Sequence, residues 1–182
     1  MTLAIISDSH IPERESSIPE PFRERIAAAD YTIHAGDFET PEVLADVEEL
    51  TADLTAVHGN VDPAEIGLLS VAEVAVDGVT FVVTHGTLNP VSAAVYNDYG
   101  FVMSAEGWAS AIADTARART RAWDGEGIVG VGGHTHQVED TVHEDVRVLN
   151  PGSVTGADPA EEATMLTVEV DDGEIDVTQH QA

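Results

Sequence analysis

The chain has 182 residues, with 34 acidic against 7 basic side chains, a net charge of −27 and a hydrophobic fraction of 43%. The charge argues against a basic nucleic-acid groove, and the hydrophobic fraction argues against a disordered acidic tail. Cysteine is absent, so there is no disulfide scaffold and no thiolate metal site. The length predicts a single domain, residues 1–182, large enough for a real core. No apolar run approaches the ~18 residues of a membrane span and no basic region precedes the first one, so the expectation is a soluble, cytoplasmic protein. All seven basic residues are arginine. At molar salt the Debye length falls to about 3 Å and screens the self-repulsion, so the composition fits a halophile.

In chain order, Leu3-Ala4-Ile5-Ile6 reads as a buried strand broken by Ser7-Asp8-Ser9-His10, which delivers two metal-ligating residue types on its exit loop. Residues 19–29 predict a helix with Pro21 near its first turn. Tyr31-Thr32-Ile33-His34 then runs into Gly36-Asp37. Thr40-Pro41 predicts an N-cap and first position for a helix through Leu50. Leu54-Thr55-Ala56-Val57 leads to His58-Gly59-Asn60. Val71–Val76 and Val79–Thr84 flank Asp77-Gly78, a two-residue hairpin signal, and the second run ends at His85-Gly86. Residues 104–123 predict a helix bearing Arg117, Arg119 and Arg121, whose arginines pair with surrounding acids. A second reading lays the segment 87–126, with Asn89, Tyr96, Asn97 and Tyr99, over the site. The glycine-rich run from Gly127 ends at His134-Thr135-His136, and short strands at 146–149, 165–170 and 175–178 suggest a second sheet.

The steps from His10 to Asp37, Asp37 to Asn60 and Asn60 to His85 are 27, 23 and 25 residues. Strand, helix and strand units occupy roughly 30, so mostly parallel strands with crossover helices are expected. In such sheets the loops beyond the strand ends converge, bringing ligands distant in sequence together. Each motif alone has a plain reading: Asp8-Ser9-His10 as a polar loop, Gly59-Asn60 or His85-Gly86 as a turn. Five in order, each at a strand end, point to a metal site. His34 and His58 are read as satisfied strand-end histidines able to orient neighbouring groups, and His143 and His180 as surface.

Asp8-Ser9-His10, Gly36-Asp37, Gly59-Asn60, His85-Gly86 and Gly133-His134-Thr135-His136 resemble, in order and spacing, the motif series of the calcineurin-like metallophosphoesterases over about residues 1–155. The compact length, Gly59-Asn60-Val61-Asp62 and Asn150-Pro151-Gly152-Ser153 resemble the small prokaryotic phosphodiesterase branch. The resemblance implies an α/β fold of two stacked mixed sheets flanked by helices, a four-layer αββα sandwich. It implies one divalent metal held by Asp8, His10, Asp37 and His136 and a second by Asp37, Asn60, His85 and His134, with Asp37 bridging and a hydroxide between the cations as nucleophile. Asp37 and Asn60 thereby count as catalytic residues too. Manganese is the first expectation, and oxygen and imidazole ligands also accept iron, nickel, cobalt or zinc.

Many relatives carry a histidine directly after the asparagine, to protonate the leaving group. Here that position is Val61, so Asp62 is the nearest ionisable candidate. No arginine follows Asp37 to clamp a phosphate. The expected substrate is a small phosphoester, most simply a phosphodiester, with no membrane partner. Alternatives are a phosphomonoesterase or nucleotide pyrophosphatase using the same metal pair, and a non-catalytic scaffold. The sequence leaves homo-oligomerisation open.

Overall fold

A computed structural model of the protein describes residues 1–87, 105–120 and 127–182. The first strand, β1 (Thr2–Ile6), lies parallel to β2 (Tyr31–His34), which in turn lies parallel to β3 (Leu54–Ala56). The crossovers carry α1 (Glu20–Ala28) and α2 (Pro41–Leu50). The start of α2 follows its sequence signal: the Val43 backbone N–H donates to Thr40 Oγ1, and Pro41 supplies a fixed φ at a position whose N–H has no helical partner.

The hairpin of β4 (Val71–Val76) and β5 (Val79–Thr84) turns at Asp77-Gly78 as expected, both residues at positive φ. It opens the second sheet instead of extending the first. Beyond it β5, β6 (Gly127–Val131) and β8 (Val146–Pro151) run parallel, and β7 (Val138–His143) closes the sheet antiparallel to β8. The sequence does not announce β7, because Glu139 and Asp140 interrupt its short apolar pattern.

The last two strands correct the sequence reading. β9 (Thr164–Asp171) and β10 (Glu174–Gln181) return to the first sheet, with β9 antiparallel beside β1, giving the order β10-β9-β1-β2-β3 against β4-β5-β6-β8-β7. The physical reason lies in burial on both faces. Leu166 and Val168 point between the sheets while Met165 joins the helix-facing cluster, so β9 is an interior strand.

Alternation along β1 sets the layers. Leu3 and Ile5 enter an inter-sheet core with Ile33, Phe81, Val131 and Leu149. Ala4 and Ile6 face outward to Phe22 and Ile26 of α1 and to Val43, Leu44 and Val47 of α2. On the other side Val82, Val146 and Val148 pack under α3 (Ala105–Thr120) through Trp108, Ile112 and Ala116. Burial of each large apolar side chain contributes about 1.5–3 kcal/mol. The result is the four-layer sandwich of helix, sheet, sheet and helix.

On α3 the arginines pair with acids: Arg117 with Asp114 at 3.2 Å and Glu144 at 3.5 Å, Arg119 with Glu73 at 2.9 Å. Arg121, Asn89, Tyr96, Asn97 and Tyr99 lie outside the described residues. His143 and His180 are half-buried, and His180 Nε2 lies 2.8 Å from Thr167 Oγ1. No helix among the described residues is long and apolar enough to cross a membrane.

Candidate metal centre

All seven candidate ligands sit just past strand ends, after β1, β2, β3, β5 and β6, on one edge of the two sheets. The loops that carry them are tied together by main chain: Asp8 N–H donates to Gly36 O at 2.9 Å, His10 N–H to Asp37 O at 3.1 Å and Gly133 N–H to His85 O at 3.1 Å. Asp8, His10, Asp37, His134 and His136 all adopt positive φ, between 47° and 72°. Such backbone costs on the order of 1–3 kcal/mol per residue and persists only where surroundings enforce it. Each loop therefore reverses sharply, aiming its side chain back over the sheet edge.

Asp8, His10, Asp37, His85 and His136 are buried, whereas Asn60 and His134 are exposed and face the solvent side of the site. His10 Nε2 and His136 Nε2 stand 3.1 Å apart, with Asp8 Oδ1 3.2 Å from the latter. His85 Nε2 lies 3.2 Å from Asp37 Oδ2 and 3.1 Å from Asn60 Oδ1. The His134 ring meets His85 edge-on with centroids 5.2 Å apart. Asp8, His10 and His136 form one compact donor group and Asp8, Asp37 and His85 another. Asp8 is thus common to both, while Asp37 also approaches the first group at 3.5 Å from His10 Nε2.

The far side of each buried ring fixes its tautomer. His85 Nδ1 faces Ala35 O at 2.7 Å, His136 Nδ1 faces Ala157 O at 2.7 Å and His10 Nδ1 faces the Glu39 carboxylate at 3.0 Å. A carbonyl or carboxylate oxygen only accepts, so each Nδ1 carries the proton and donates it. The Nε2 lone pairs of His10 and His136 then face each other and the Asp8 carboxylate, while that of His85 faces Asp37 and Asn60 oxygens. Lone pairs held that close repel unless a proton or a metal ion lies against them. The donor set, imidazole nitrogens and oxygens with no sulfur, fits divalent cations.

The electrostatics follow the same logic. Burial would lower the basicity of His85, but its contact with Asp37 and the charges of Asp8 and Asp37 outweigh this and raise it to about 9. His10 is likewise raised by Asp8 and Glu39 against the effect of burial. Burial would raise both Asp8 and Asp37, yet their histidine partners hold them below the usual carboxylate range. His134, though open to solvent on one side, is lowered by partial desolvation against its neighbours and then by the charge of His85.

Four residues outside the ligand set hold the loops, His34 among them as the orienting strand-end histidine the sequence suggested. His34 is fully buried, burial takes it down to about 3, and it stacks on Phe38 at 3.7 Å. Gly36 N–H donates to its Nδ1, so its Nε2–H donates to Ser9 Oγ at 2.8 Å, tying the loop after β2 to the loop after β1. Asn150 Nδ2 donates to Gly133 O and Thr135 Oγ1, Ser153 Oγ donates to Asp8 O at 2.8 Å, and Thr155 Oγ1 donates to Ser9 O at 2.8 Å. The Asn150-Pro151-Gly152-Ser153 run is a brace.

Asp62, the nearest ionisable candidate after Asn60, is held by backbone. Its Oδ1 accepts from Phe38 N–H and Glu39 N–H and its Oδ2 from Asp37 N–H and Gly59 N–H, at 2.7–3.0 Å. Both oxygens accept from backbone donors that shape the Asp37 and Gly59 turns, so the side chain anchors the Asp37 loop. His58 faces Gly59 O through Nδ1 and Ser70 Oγ through Nε2, each at 3.0 Å, on the wall of a cleft of about 920 Å³. The cleft opens beside Asn60 and His85 and is walled by Ile66, Leu68, Val71 and Ile112.

A two-sheet sandwich with carboxylate, imidazole and amide donors converging on one edge is the plan of the metal-using phosphoesterases, and the chain belongs to the calcineurin-like phosphoesterase superfamily, whose domain model matches residues 1–173. It is 30% identical over 155 residues to a "Probable metallophosphoesterase" of Methanothermobacter thermautotrophicus, covering 85% of this chain and 78% of the relative. Among solved structures, a Thermotoga maritima protein is similar at 26% identity, TM-score 0.66, covering 100% of this chain and 99% of the other. Vps29 of Entamoeba histolytica in complex with zinc shares the fold at 21% identity, TM-score 0.68, covering 100% and 98%. The family uses divalent metals, and the buried donor groups here are candidates to hold them.

Proposed function

We propose that the protein is a phosphodiesterase working with two divalent metal ions. The observation that carries this reading is the set of three imidazoles whose Nδ1–H groups are spent on Ala35 O, Ala157 O and Glu39, leaving three lone pairs converging on Asp8 and Asp37. Asp8, His10, Asp37 and His136 would hold one cation and Asp37, Asn60, His85 and His134 the other. When bound, two such cations activate the attacking water and neutralise charge developing on the phosphoryl oxygens. Manganese is the first choice, with iron, nickel, cobalt and zinc also compatible.

The chain's own residues do the rest. Only Asp8 and Asp37 among the seven are anionic, so a loaded site stays positive and draws a phosphoryl anion into an otherwise acidic protein. Exposed Asn60 and His134 leave the second position open to substrate. The apolar cleft beside Asn60 takes the organic arm of the ester, which a phosphodiester always has. The substrate is a small molecule, and the acidic chain works in the cytoplasm of a halophile.

The test is hydrolysis of bis-p-nitrophenyl phosphate against p-nitrophenyl phosphate in molar salt with Mn²⁺, for wild type, Asp37→Asn and a chelated control. Metal-dependent turnover of the diester, lost in Asp37→Asn, supports the reading, and a preference for the monoester replaces it with a phosphomonoesterase. The second reading is a non-catalytic scaffold. It is favoured by Val61 and by the commitment of Asp62 to backbone, which leave no proton donor assigned to the leaving group. Bound metal without turnover of either ester would select it.

A further inference from the structure

Glu39 stands two residues after Asp37, an acid whose place in a dispersed acidic sequence reads as solvated face but whose side chain is turned into the site. Resting on the metal-centre reading above, we propose that Glu39 is a positioning residue for His10, an outer carboxylate that strengthens the metal position built on Asp8, His10 and His136. Its Oε1 accepts from His10 Nδ1 at 3.0 Å and its Oε2 accepts from Glu13 N–H at 2.9 Å, so the carboxylate is locked at both oxygens. The Glu39 side chain is only 9% exposed. Its backbone is held at φ 84°, a conformation that glycine would adopt without cost, yet the position carries a charged side chain. Asp62 stabilises that turn by accepting the Glu39 N–H at 2.9 Å.

The contrast with the other rings gives the function. His85 and His136 are oriented by neutral carbonyls, whereas His10 is oriented by an anion. A carboxylate behind an imidazole fixes the ring, excludes the wrong tautomer and makes Nε2 a more basic donor. The two metal positions are therefore unequal, and the one that includes His10 is the tighter. Glu39 also links the loop after β2 to the turn after His10, whose O accepts from Arg14 N–H and Glu15 N–H.

Glu39→Gln separates these effects. A glutamine has one acceptor oxygen, so it can serve His10 or Glu13 N–H but not both, and it carries no charge. The experiment is calorimetric titration of metal-free protein with Mn²⁺, together with the visible spectrum on stepwise Co²⁺ loading, for wild type, Glu39→Gln and Glu39→Ala. The expected result is two binding steps in wild type. The tighter weakens about 10–100-fold in Glu39→Gln while the weaker holds, and the Co²⁺ bands of the first equivalent shift. Unchanged affinities and unchanged first-equivalent bands in folded Glu39→Gln, beside a wild type that binds two metals, would overturn the role of Glu39 and leave the metal centre standing. A wild type that binds no metal would overturn both.

Discussion

In the metal-free protein, raising the pH from 7 to 9.5 should destabilise the fold. His85 titrates near 6.5 in an unfolded chain and at about 9 in the folded one. A raised folded value means stability that is complete below 6.5 and lost as pH climbs through 9. The span corresponds to about 3 kcal/mol at about 1.4 kcal/mol per tenfold, and His10, raised by Asp8 and Glu39, adds in the same direction. The chain has no lysine and no cysteine to titrate in this window, and His34 and His134, both lowered, are largely neutral in both states there. For a chain of this size about 2–4 °C accompanies each kcal/mol, so the melting midpoint should fall by roughly 10 °C. The assay is thermal unfolding in molar KCl with chelator, repeated for His85→Gln, which should show a shallower slope. Metal displaces the same protons, so the stabilisation by saturating Mn²⁺ should grow between pH 6 and 8. A metal-free midpoint that stays flat or rises from pH 7 to 9.5 would refute the assignment of protons to the convergent lone pairs.

Gly59→Ala should abolish tight metal binding, because an added Cβ would stand 1.9 Å from Asp37 Oδ1. Gly59 is outside the left-handed region, so the effect is steric and metal titration of folded variant reads it directly. Asp62→Asn places an NH₂ against two backbone N–H donors and should cost about 3 kcal/mol of stability, with turnover falling alike for esters of good and poor leaving groups. An unchanged denaturation midpoint with a deficit confined to poor leaving groups would make Asp62 the proton donor.

The seven candidate ligands were legible because each follows a compact apolar run, so the strand ends could be placed without knowing the sheets. The Asp77-Gly78 hairpin and the Thr40-Pro41 helix start are equally local, one fixed by turn conformation and the other by an orphan N–H. Which sheet a strand joins is not local. Nothing within 165–170 says that Leu3 will sit opposite Val168, since that pairing spans nearly the whole chain. The parts of Glu39, Asp62 and Asn150 were hidden for the same reason. Each acts on backbone or ring atoms carried by other loops, and charge alone marked Asp62, whose four donors make it an anchor.

The left-handed backbone at Asp8, His10, Asp37, His134 and His136 was invisible for a different reason: sequence signals reserve that conformation for glycine and turns. Here the chain uses it with the residues that carry the chemistry, since an extended exit from a strand would send each side chain away from its neighbours. Glycines beside them give room instead. A Cβ at Gly36 would stand 2.7 Å from Gly59 N, and one at Gly133 2.0 Å from Ser7 Oγ. The strain is offset by the links among loops, through His34 to Ser9, Ser153 to Asp8 O and Asp62 to four N–H groups. The site is therefore stiff before any cation arrives, and its histidines and aspartates already point at the places that cations would fill.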